Sequence, residues 1–246
     1  MSTLLKAELL KLRTTRTFVA LVASALALSL LVVVLTALLA DNFTEQDVKS
    51  LFTADFTGLF ILLLGVMGMA GEWRHRTITS TVLAAPDRLR LLGAKVIAFA
   101  AAGALLSLIV TLTIMLVGTI VLSVRGEPTI GVADLLDVLW RNLVVAALLG
   151  ALGVGIGGLV RNQVVAIVAI LIFAFAVEPT LFALVPEVAK FAPTQGAPSG
   201  IIHVNPFGDQ DTSNLLVPAV AVLVMLGWIA LFFAAAGARL RKFDLV

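Results

Sequence analysis

Residues 72–95 run Glu72-Trp73-Arg74-His75-Arg76-Thr77-Ile78-Thr79-Ser80-Thr81-Val82-Leu83-Ala84-Ala85-Pro86-Asp87-Arg88-Leu89-Arg90-Leu91-Leu92-Gly93-Ala94-Lys95. They form a polar, basic interruption between two strongly apolar runs. The interruption is too long for a tight turn. Thr77 to Ala85 reads as a short helix. Pro86 ends it, because proline lacks a backbone donor and clashes with the preceding turn. Two readings fit: a docking surface for a partner, or an ordinary positively charged loop between two membrane spans.

The flanking runs set the fold class. The chain has 246 residues, of which 61% are hydrophobic and 13% charged, and its mean hydropathy is +1.12. A soluble domain is nearer half apolar and a quarter charged. Runs of roughly 20 apolar residues cross a hydrocarbon core. The expectation is an all-α integral membrane protein with six transmembrane helices, forming one domain over 1–246. The spans fall near 18–40, 56–71, 94–124, 143–160, 164–185 and 215–237, and the segment 72–93 lies between the second and third. With no cysteine, disulfides and thiolate chemistry are excluded.

Residues 2–17 carry Leu5, Leu9 and Leu12 at helical spacing, with Lys6 and Arg13 pointing elsewhere. That pattern predicts an amphipathic helix lying in the headgroup plane. The first apolar run then continues to Ala40, too long for the core of a cleaved signal. Asp41–Asp55 reads as an acidic loop. Residues 130–139 read as a short surface helix, and the fourth span is entered through Trp140 and Arg141. The fifth span is interrupted at Glu178-Pro179.

Placing the N-terminus in the cytoplasm and crossing six times collects 13 of the 17 Lys and Arg on the inside. Only Lys49, Arg125, Arg141 and Lys190 fall outside. Every loop then obeys the positive-inside rule, which puts both termini in the cytoplasm.

The sequence offers little chemistry. His75 and His203 fall on opposite sides, so they form no common site. No phosphate-binding Gly-x-x-x-x-Gly-Lys-Ser/Thr occurs. No metal cluster is visible, and nothing points to nucleic acid. Three features remain. Gly150, Gly153 and Gly157 of the fourth span are a candidate helix-packing interface, either within one subunit or at a moving or dimer contact. Glu178 and Pro179 form a candidate outer gate or pathway. Glu178 would line a pathway, or pair with Arg141 or Lys190, or sit near the outer mouth where the chain dips back into the bilayer. The third feature is the basic segment itself.

The run from Glu72 to Arg88, ending in a Lys95 that opens the next span, resembles the cytoplasmic loop of ABC-2-type permeases, the membrane subunits of bacterial ABC exporters. Leu4-Leu5-Lys6-Ala7-Glu8-Leu9-Leu10-Lys11-Leu12-Arg13, the Gly-rich fourth span before Arg161-Asn162-Gln163, and the basic C-terminal tail are similar too. The resemblance implies a coupling helix after the second span, and it places re-entrant elements between the fifth and sixth spans. Glu72, Arg74, His75, Arg76, Thr77 and Thr81 would contact an ATP-binding subunit. Two copies of that subunit and a second permease, identical or paralogous, would complete the transporter in a bacterial plasma membrane. ATP and magnesium would be bound by the partner, with no cofactor in this chain. The cargo would be hydrophobic or amphipathic. A stand-alone carrier or channel would instead need charged groups in mid-membrane, which apart from Glu178 the spans hardly offer.

Overall fold

The computed structural model describes residues 2–74, 87–160, 162–204, 212 and 214–241. The short helix expected over Thr77–Ala85 lies outside these residues. Among the described residues there are helices and connections but no strand. The helices are α1 (Ser2–Thr14), α2 (Arg16–Leu39), α3 (Glu45–Phe52), α4 (Thr57–Arg74), α5 (Arg88–Arg125) and α6 (Val132–Leu159). They are followed by α7 (Gln163–Ile172), a π-helical turn (Phe173–Val177), α8 (Glu178–Leu184), α9 (Pro186–Ala189), α10 (Gly196–Ile202) and α11 (Pro218–Arg241). Six stretches are long and apolar enough to cross a membrane: 16–39, 45–72, 88–125, 132–159, 163–184 and 218–240. The protein is an all-α integral membrane protein.

Helix α6 is the centre. In its most apolar window 61% of residues are buried, against 17% for α2 and for α11. It packs on α4, α5 and α11. Its glycines explain how. A Cβ on Gly153 would lie 2.2 Å from the Leu62 carbonyl oxygen, and one on Gly150 would lie 2.5 Å from that of Phe99. A Cβ on Gly157 would meet the Val66 carbonyl at 2.6 Å. In lipid, helices associate by close van der Waals contact rather than by hydrophobic exclusion, so missing side chains tighten the pairing. Gly150, Gly153 and Gly157 thus pack inside one subunit, against α4 and α5.

Several boundaries differ from the sequence reading. The acidic loop 41–55 contains α3, whose start is fixed by a capping box between Thr44 and Asp47. Residues 130–139 do not form a separate surface helix. From Val132 onward they are the first turns of α6, which runs through Trp140 and Arg141 because nothing there breaks a helix. Arg141 bonds Asp137 one turn earlier at 2.8 Å, a spacing that supports continuity. Helix α5 starts at Arg88, capped by the Asp87 side chain. At 1.5 Å per residue its 38 residues extend about 57 Å, well beyond a hydrocarbon core of roughly 30 Å. It ends at Gly126, whose φ of 73° is the left-handed conformation of a helix C-terminus.

The fifth span is not interrupted at Glu178-Pro179. Helix α7 passes through the π-helical turn straight into α8. Pro179 has no N–H to donate, and a widened turn just before it lets the chain stay helical. The chain then folds back through α9 and α10, which packs against α11 and α6.

Candidate functional site

At the end of the bundle that carries α1, four charged side chains from three helices meet. Lys95 of α5 is 1% exposed. Its Nζ lies 2.6 Å from Glu8 Oε2 of α1 and 2.7 Å from Glu72 Oε1 of α4, and donates at 3.4 Å to the Gly68 carbonyl. Lys11 Nζ closes the ring at 2.9 Å from Glu8 and 3.4 Å from Glu72. Two carboxylates and two ammoniums cancel, so the cluster carries no net charge. Good geometry offsets the desolvation of a buried ion pair, although Glu72 Oε2 is buried with no hydrogen-bond partner among the described residues.

This cluster determines which face of α1 turns inward. The sequence puts Leu5, Leu9 and Leu12 on one apolar face of an interfacial helix. Against the rest of the protein, Glu8 and Leu12 are buried, Leu5 is half-buried and Leu9 is exposed. The inward row is Leu5, Glu8 and Leu12, because the Glu8 carboxylate is drawn to Lys95. Burial alone would raise the Glu8 pKa, but the charge and hydrogen bonds of Lys95 and Lys11 outweigh it and hold the carboxyl below its ordinary 4.5. For Lys11, burial would lower the value, and Glu8 and Glu72 hold it above the ordinary 10.5.

Other contacts lace the same end together. Arg88 donates to the Leu240 carbonyl and Arg239 to that of Leu159. These bonds join the start of α5 to the end of α11, and the end of α11 to the end of α6.

The expected partner-contact residues divide. Arg74 is the exposed last residue of α4. Glu72, expected to face a partner, is 7% exposed and turned inward to Lys95 and Lys11. His75, Arg76, Thr77 and Thr81 lie outside the described residues.

The opposite end holds a second polar knot that the sequence reading missed. Asp55 precedes α4. It accepts hydrogen bonds from the Ser107 hydroxyl, from Thr111 at 3.0 Å and from the Thr57 backbone N–H at 2.8 Å. Asn142 donates to Thr111 at 3.2 Å and to the Phe52 carbonyl at 3.0 Å. Beside it, Arg125 donates to the Ala37 and Ala40 carbonyls and pairs with Asp41, neutralising the C-terminus of α2. An open groove of about 460 Å³ lies between α2 and α3, with Val32, Thr36, Phe43, Asp47 and Leu51 in its wall.

Glu178 is fully buried. Its Oε1 accepts the Thr194 backbone N–H at 2.9 Å, and Gln195 Nε2 donates back to the Ala174 carbonyl in the π-helical turn. Among the described residues, the alternative in which Glu178 pairs with Arg141 or Lys190 is not found. Arg141 bonds Asp137 and the Ile201 carbonyl, and Lys190 bonds Glu187. Glu178 and Gln195 therefore clasp the returning chain onto the fifth span, and Pro179 is half-buried beside them.

No curated protein matches the chain. Residues 4–177 match the family described as ABC-2 family transporter protein, from α1 through the end of the π-helical turn and well over half of the sequence. The protein belongs to the ABC-2 family of transporter proteins.

Proposed function

We propose that this ABC permease is the membrane half of an exporter whose ATP-binding subunits dock on residues 74–86. Family membership supplies the coarse frame: a membrane transport component, without a catalytic site of its own, that works with an ATP-binding subunit. The finer reading adds two ATP-binding subunits, a second permease copy and cytoplasmic termini. The cargo would be hydrophobic or amphipathic and would move outward across a bacterial plasma membrane.

The observation that carries this reading is the family match, which spans the basic segment between α4 and α5. Exposed Arg74 at the end of α4 gives the start of that segment a cationic flank. The mixed apolar and acidic wall of the groove between α2 and α3 suits an amphipathic molecule leaving on the far side. In this mechanism ATP binding draws the ATP-binding subunits together. The docked segments move, and the helices tilt as packed bodies between two global states.

Purification of the tagged chain from its native membrane tests the reading. An ATP-binding subunit should come with it. Reversing two charges with Arg74→Glu and Arg76→Glu should lower its recovery at least about tenfold, since like charges across an interface cost several kcal/mol. Recovery unchanged by the reversal would overturn the docking assignment, and absence of any ATPase would overturn the permease mechanism.

A further inference from the structure

The Lys95 cluster sits at the root of the segment assigned above to docking. Glu72 lies two residues before the end of α4, and Lys95 lies in the second turn of α5. The covalent chain leaves at Arg74 and returns at Arg88. The Glu72–Lys95 contact of 2.7 Å closes the two stems against each other, and the Lys95–Glu8 contact of 2.6 Å fastens α1 to the same point. A force on residues 75–86 therefore meets a closed stem rather than two separate helix ends. It cannot splay α4 from α5 without separating charges buried away from water, where leaving one unpaired is costly.

We propose that Lys95 is a positioning residue of the transport cycle. By holding Glu8 and Glu72 together, it makes α1, the end of α4 and the start of α5 one mechanical body. Displacement of segment 75–86 by a partner is then delivered to all three at once. This rests on the docking reading of that segment. It assigns Glu72 an inward role: it transmits through Lys95 and does not itself touch the partner. Helix α1 becomes a driven element rather than a passive float at the membrane surface.

The test uses the full chain in complex with the ATP-binding subunit that co-purifies with it. The double variant Glu8→Gln with Lys95→Met removes one positive and one negative charge together, leaving Glu72 with Lys11 and the cluster neutral. Replacing a buried pair in this balanced way is often tolerated by a fold. The variant should still bind the ATP-binding subunit, because segment 75–86 is untouched. The change in ATP hydrolysis that the membrane chain imposes on the subunit should shrink by about tenfold, within the 5–150-fold range of ordinary coupling between sites. Unchanged stimulation would overturn the proposal.

A second measurement needs no substitution within the cluster. The chain has no cysteine, so Leu9→Cys and Arg90→Cys on exposed positions of α1 and α5 accept a pair of spin labels. In the complex their separation should stay fixed between nucleotide-free and ATP-bound states, because the two helices travel together. A separation that changes with ATP would overturn the proposal even if the double variant failed to fold. If the unsubstituted chain binds no ATP-binding subunit, the docking reading itself falls, and that outcome is separate from both measurements.

Discussion

The two ends of the bundle bury polar groups in opposite ways. At the α1 end, two carboxylates are matched by two ammoniums carried on long side chains from three helices. At the other end, Asp55 is held among the described residues by the Ser107 and Thr111 hydroxyls and the Thr57 backbone N–H, all on short side chains or main chain. The first arrangement is held by charge over flexible stems, and its strength depends on every member being present. The second is held by short, directed hydrogen bonds that fix geometry. A part meant to move under load suits the first, and a part meant to stay put suits the second.

The sharpest break in this contrast is Lys95→Met alone. It strands Glu8 and Glu72 with only Lys11, which is half-exposed. Removing one member of a buried pair costs about 3–5 kcal/mol. We expect a clear drop in thermal unfolding midpoint in detergent, larger than that of the balanced double variant. A midpoint equal to the parent's would mean that the cluster bears no structural load.

Asp55→Leu should cost less, about 1–3 kcal/mol, because it leaves the Ser107 and Thr111 hydroxyls without their acceptor but strands no charge. The same midpoint measurement checks it. A loss exceeding that of Lys95→Met would reverse the ranking of the two ends.

The smallest effect is with pH. The Glu8 carboxyl titrates below its ordinary 4.5 in the folded protein. Between that folded value and 4.5 the unfolded chain binds more protons, so stability falls as the pH is lowered. The contribution is fully present above about 4.5 and is lost as pH drops through the folded value. Lys11 acts at the other extreme. Its raised value contributes stability below 10.5 that is lost on going higher, and its solvent exposure keeps the effect slight. Acid should therefore loosen α1 first, seen as faster amide exchange in α1 than around Asp55. Equal protection at both ends down to pH 3 would contradict the assignment.

The fold class was legible because apolar runs of spanning length leave little choice in a lipid solvent. The charge clusters were harder. Glu8, Glu72 and Lys95 are far apart in sequence, and each has a bland reading as a headgroup charge. A signal was nevertheless present. Lys95 lies within an apolar run, and a buried ammonium demands acids at the same level, for which Glu8 and Glu72 were at hand. Asp55 was hidden by its position at the end of an apparent loop, where an acidic residue attracts no notice. Glu178 was noticed, but its hydrogen-bond partner is the backbone N–H of Thr194, which no residue type advertises. The continuity of the fifth span through Pro179 depends on a π-helical turn, a local choice of hydrogen bonding that apolar patterning does not encode.

The facing of α6 on α4 has a mechanical consequence. Where the Leu62 carbonyl would touch a Cβ on Gly153 and the Val66 carbonyl one on Gly157, main chain lies against main chain. Such a seam has no rotamers, so it cannot absorb a push by small local rearrangements. It behaves as a splint: load applied at one end of α4 arrives at the other almost undiminished, and any bending falls to the helices around it.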